Sequence, residues 1–133
     1  MKPIFSATAI SLCALLAAAV HAAPVDDMLA GYAKAGAKPS LDAGRAFWAK
    51  EYSDPENGGK RTCATCHGAD LAKPGKHVKT GKAIEPLAPS ANPKRLQDAA
   101  EVEKWFKRNC TWTLDRECTA QEKADTLTYL RTL

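Results

Sequence analysis

The sequence contains no run of like charges, no internal repeat and no low-complexity tract, and beyond residues 4–20 it has no long apolar segment. Without a basic run, and with a formal charge of only +4, it offers no electrostatic footprint for nucleic acid. The missing repeats exclude collagen-like and coiled-coil architectures, and a length of 133 residues is that of one domain. Methionine and histidine are scarce as well: the chain has only Met1, Met28, His21, His67 and His77. What is present, 45% hydrophobic and 26% charged residues, is the composition of a soluble globular protein.

The N-terminus has the layout of a secretory signal peptide. Lys2 supplies a positive start, Ile4 to Val20 an apolar stretch, and Val20-His21-Ala22 compact residues before a cleavage point at Ala23. The apolar run is short for a membrane span and no stop-transfer segment follows it, so the expected mature chain does not span a membrane. We therefore divide the chain into a signal peptide, residues 1–22, and a single domain, residues 23–133, in the periplasm. The division also explains an odd cysteine count. Of five cysteines, Cys13 leaves with the signal, and Cys63, Cys66, Cys110 and Cys118 remain in an oxidising compartment. Loss of Lys2 lowers the formal charge from +4 to +3. A domain of about 111 residues buries a modest core by itself, so a disulfide, a metal or a large cofactor would help it considerably.

Helical signals dominate the rest. Residues 24–37 read as a short helix. Residues 40–52 read as a second, with Ser40 as N-cap and Leu41, Gly44, Phe47, Trp48 and Tyr52 along one face. Asp54-Pro55-Glu56-Asn57-Gly58-Gly59 breaks it. Between Leu71 and Pro93 four prolines and no sustained periodicity predict a long loop that wraps something. Asp98 with Glu101 opens a helix running to about Asn109, and Thr119 with Glu122 opens a final one carrying Leu127, Leu130 and Leu133 on its apolar side, with Tyr129 beside it. The expected fold is all-α with long loops, and no strand is demanded.

Cys63-Ala64-Thr65-Cys66-His67 is C-x-x-C-H, the attachment signal for c-type haem. Two thiols on one helical turn can each add to a haem vinyl group, and the adjoining histidine is then held beneath the iron as proximal ligand. A thioredoxin-like dithiol would want a βαβ setting, which is missing. Zinc could recruit Cys110 and Cys118, but the gap between them departs from structural zinc spacing. One covalently attached haem, held by Cys63, Cys66 and His67, is the reading these signals favour.

An electron-transfer cytochrome c usually takes a downstream methionine as its sixth ligand. None exists here. His77 is the one remaining histidine of the mature chain, in a lysine-rich loop where a solvated or propionate-binding role fits better than ligation. Val102, Trp105, Phe106 and Asn109 fall at i, i+3, i+4 and i+7, which puts Asn109 on an apolar helix face, although periodicity alone reads it as a helix C-terminal residue. Cys110 and Cys118 are spaced to close a short loop, and export makes a disulfide the default. On chain entropy such a loop contributes about 2.5 kcal/mol.

Trp105-Phe106-Lys107-Arg108-Asn109-Cys110, Arg116-Glu117-Cys118-Thr119 and Glu122-Lys123-Ala124-Asp125, with the upstream C-A-T-C-H, resemble the SHP-type cytochromes c, small exported oxygen-binding monohaem proteins. The resemblance covers roughly residues 38–133. It implies a cytochrome c-like helical domain wrapped around one haem, with iron ligated by His67 and Asn109 and a disulfide between Cys110 and Cys118. It further implies that Asn109, a weak and displaceable ligand, is released on reduction so that O₂ or NO can bind. Electrons would come from a di-haem cytochrome c and a membrane cytochrome b. Whether the protein also reduces O₂ or NO stays open, and no hydrolytic or transferase motif is present. The alternative is a plain periplasmic electron carrier whose haem is always six-coordinate.

Overall fold

A computed structural model describes residues 24–133; the expected signal peptide and Cys13 lie outside the described residues. Among the described residues there are five helices: α1 (Pro24–Lys34), α2 (Leu41–Ala49), α3 (Ala64–His67), α4 (Ala99–Leu114) and α5 (Ala120–Leu130). No helix among the described residues is long and apolar enough to cross a membrane.

Helix starts follow the local chemistry. The Ser40 hydroxyl accepts from the Ala43 amide at the start of α2, and Thr119 and Glu122 form a full capping box on α5. At α4 only half of the box forms. Asp98 accepts from the Glu101 amide, but the Glu101 carboxylate turns to Lys104 and to the indole of Trp105.

The element assignment differs from the sequence reading in two places. First, two short antiparallel ladders are present: β1 (Tyr52–Ser53) with β2 (Lys60–Arg61), and β3 (Gly75–Lys76) with β4 (Ala83–Ile84). Tyr52 therefore belongs to a strand rather than to α2, because the chain leaves the helix at Lys50 to enter the Asp54 turn. Second, α4 does not end near Asn109. It continues to Leu114 and stops at Asp115, which adopts the left-handed conformation (φ 58°).

The packing is led by α2 and α1 against α5. Val25, Leu71, Ala88, Leu96, Leu127 and Leu130 form the core, with Trp48, Phe106 and Tyr129 against it. Leu41, assigned by periodicity to the packed face of α2, is 38% exposed. The Leu71–Pro93 segment is cinched at its base, where the Leu71 carbonyl accepts from the amides of both Leu87 and Ala88. Among the described residues, only Leu127 of the large side chains is fully buried. A core so thin leaves its centre to be filled by something other than side chains.

Candidate haem site

That centre is a cavity of about 1260 Å³. Cys63, Cys66 and His67 reach it from the α3 segment, Trp48 from α2, Leu127 and Leu130 from α5, and Val78 and Ile84 from the β3–β4 hairpin and its turn. The stripe Val102, Trp105, Phe106 and Asn109 lines it from α4. The periodic face of α4 thus serves the cavity as well as side-chain packing, which explains why Trp105 is 41% exposed in this chain.

Local structure holds the motif. The His67 amide bonds to the Cys63 carbonyl and the Gly68 amide to Ala64, closing a single helical turn that brings both thiols and the imidazole to one cavity. Gly68, at φ 77°, lets the chain leave that turn. Strand β3 lies so close that a Cβ on Gly75 would overlap the Cys66 carbonyl and come within 2.9 Å of the His67 Cα. On the other side the ring of Trp48 stands 5.4 Å from that of His67. Burial, and secondarily the Arg95 guanidinium, push the imidazole pKa down to about 4, so at neutral pH it offers a lone pair, the form that ligates iron. Burial also pushes the Cys63 thiol up to about 11.

The donor set and the space fit haem. The cavity wall holds the two thiols for attachment, a neutral imidazole beside them and a largely apolar lining. It also includes Arg61, whose buried Nε has no hydrogen-bond partner. Such an N–H suits an acceptor brought by the occupant, and the haem carboxylates are acceptors of that kind.

The structure brings together Cys63, Cys66, His67 and Asn109 as lining residues of one cavity, and it joins Cys110 to Cys118 with their Cα atoms 5.6 Å apart. Bonded to each other, those two sulfurs are not available to complete a zinc site. His77 also lines the cavity, but its Nδ1 accepts from the Thr80 amide at 3.2 Å and its backbone pairs with Lys82 and Gly81, so the residue builds the hairpin turn. Met28 packs against the core cluster and is not among the lining residues. Sequence reasoning missed Arg61 and Arg95. Arg95 braces the long loop through the carbonyls of Glu85 and Pro86 at 2.8 and 2.9 Å, contacts that no local pattern announces.

Residues 34–130 match the family described as Domain of unknown function (DUF1924). The chain is 48% identical over 107 residues to cytochrome c-type protein SHP of Cereibacter sphaeroides, covering 77% of this chain and 79% of that protein. It is 39% identical over 94 residues to cytochrome c'' of Methylophilus methylotrophus, covering 71% and 65%. Among solved structures it is similar to oxidised SHP, described as an oxygen-binding cytochrome c, with a TM-score of 0.72, 44% identity and coverage of 82% of this chain and 96% of that one. Oxidised cytochrome c'' matches with a TM-score of 0.72 at 33% identity, covering 82% and 94%. The fold is therefore the all-α cytochrome c fold, whose members carry a covalently attached c-type haem, and the cavity offers the space and donor set for it. The chain belongs to the DUF1924 family and, by its likeness to SHP over most of its length, to the SHP-type cytochromes c.

Proposed function

We propose that the protein is an exported, periplasmic monohaem cytochrome that accepts an electron and then binds a diatomic gas, O₂ or NO, where Asn109 has withdrawn. Bound haem supplies an iron that cycles between ferric and ferrous and takes a gas when one axial position is open. In this reading Cys63 and Cys66 hold the haem through thioether bonds and His67 is the proximal ligand. Trp48 and the backbone around Gly75 keep the imidazole in place.

Asn109 is the distal ligand. The observation that carries this reading is the position of Asn109 within α4: five residues before the helix end, on the stripe that lines the cavity shared with His67. A helix-terminal role does not explain it there. An amide oxygen is a neutral, weak donor, so Asn109 would hold a reduced iron less firmly than an oxidised one. The Cys110–Cys118 bridge holds the backbone next to it, so the side chain can leave while its helix stays. Two relatives are consistent with this: SHP is described as an oxygen-binding cytochrome c, and cytochrome c'' has been described for haem-ligand detachment. The electron donors we propose, a di-haem cytochrome c and a membrane cytochrome b, come from the family resemblance.

The second reading is an electron carrier with both axial positions always filled, favoured by the presence of His77 in the same cavity wall. The ferrous protein decides between them. A high-spin ferrous spectrum that converts readily on adding CO is expected, whereas a low-spin form inert to CO would leave only electron transfer.

A further inference from the structure

Arg61 stands two residues before Cys63, in β2, and is 5% exposed. Its guanidinium spans two elements. Nη1 donates to the carbonyl oxygen of Trp112 at 2.6 Å, and the group lies over the Trp112 ring at 4.4 Å. Nη2 is bound by Asp54, and the Glu56 carboxylate stands 3.2 Å away. Asp54 is itself fixed by its turn, accepting from the Glu56 amide at 2.8 Å and from the Asn57 side chain at 2.9 Å.

The other end of this link is the last turn of α4. The Trp112 carbonyl is among the final four of the helix, which lack intrahelical partners and favour a nearby positive charge. Trp112 is three residues after Asn109 and two after Cys110, within one turn of each. One guanidinium therefore joins the segment that leads into the haem-attachment motif to the helical turn that carries Asn109. The Cys110–Cys118 bond holds the same turn from the side of α5. Because the charged group is buried and its two Nη atoms are both engaged, removing either of those arms leaves a buried polar group unpaired and lets the turn relax.

We propose that Arg61 is a positioning residue for Asn109: it clamps the end of α4 to the attachment segment and thereby sets how readily the Asn109 amide leaves and regains its place in the cavity. This rests on Asn109 being the displaceable ligand. Arg61 does not touch the gas. It acts by limiting the motion of the turn around which the Asn109 side chain swings.

The test is a cycle on the haem-loaded protein, with Arg61→Gln and Asn109→Ala made singly and together. Arg61→Gln is expected to raise the high-spin fraction of the ferric spectrum and to change the rate at which added imidazole binds the ferric form, where Asn109 must first be displaced, by about three- to tenfold, the scale of a lost charge-assisted hydrogen bond partly transmitted. In the Asn109→Ala background the same substitution should change neither. Arg61→Lys, which keeps the charge but not the fork, should fall between wild type and Arg61→Gln. If Arg61→Gln does not fold, Asp54→Asn, which leaves the Trp112 bond, should show a smaller shift in the same direction. A lowered melting temperature with an unchanged ferric spectrum and imidazole-binding rate would reduce Arg61 to a structural residue. An equal shift with and without Asn109 would mean that it acts on the haem directly. If Asn109→Ala itself leaves the ferric spectrum unchanged, the ligand assignment fails and the positioning role fails with it.

Discussion

Helices α2 and α5 meet where Gly44 lies against the carbonyl group of Asp125, so close that a Cβ on Gly44 would overlap the Asp125 oxygen and reach 2.9 Å from the Tyr129 Cβ. The contact is reinforced at the cap, where the Ser40 amide donates to the Asp125 carboxylate at 2.8 Å. One turn after Gly44, Trp48 meets His67. The spacing of two helices thus bears, through Trp48, on where the His67 imidazole rests. Gly44→Ala is expected to destabilise the protein by about 1–3 kcal/mol, the usual range for forcing a methyl group into filled space. Urea unfolding with an unchanged m-value would show it.

The Cys110–Cys118 bridge closes a short loop beside Asn109, and in the proposed function it serves both stability and the setting of that residue. Replacing both cysteines by serine should cost about 2.5 kcal/mol by chain entropy. In the holoprotein, the same double substitution should ease displacement of Asn109 as the proposed ligand, seen as a faster rate of imidazole binding to the ferric form. A stability loss with unchanged ligand kinetics would separate the two roles.

Asp54 supplies an acid-sensitive contribution. The Arg61 guanidinium beside it, aided by hydrogen bonds from Asn57 and Glu56, holds its carboxyl well below the usual carboxylate range. A depressed native pKa means that the unfolded chain binds the proton more readily. The stabilisation is therefore complete above the ordinary aspartate pKa of about 3.9 and is lost as the pH falls below it toward the native value. The melting-temperature gap between wild type and Asp54→Asn should be constant near neutral pH and should narrow below about pH 4. A gap that does not change with pH would contradict the charge pairing.

Much of this was legible in the residues because its causes are local. The C-x-x-C-H spacing announced the attachment turn, Thr119 with Glu122 announced α5, and the i, i+3, i+4, i+7 stripe announced the cavity face of α4. The end of α4 was not legible near Asn109, since what holds Thr111 to Leu114 in the helix includes Arg61 on the Trp112 carbonyl and the bridge to Cys118. Burial of Arg61 was equally hidden. An arginine reads as surface unless its partners are known, and here they sit on the far side of a turn and on a distant helix. Two-residue strands such as Tyr52–Ser53 are too short to leave a period. The signal peptide rests on its sequence pattern.

Asn109 as the displaceable ligand is the centre of the proposed function, and the ferric absorption spectrum at neutral pH, compared for Asn109→Ala and His77→Ala, tests it most directly. Asn109→Ala is expected to keep its haem attached and to become high-spin or water-ligated, with His77→Ala like wild type. An unchanged spectrum for Asn109→Ala, with an altered one for His77→Ala, would show that the histidine is the ligand instead.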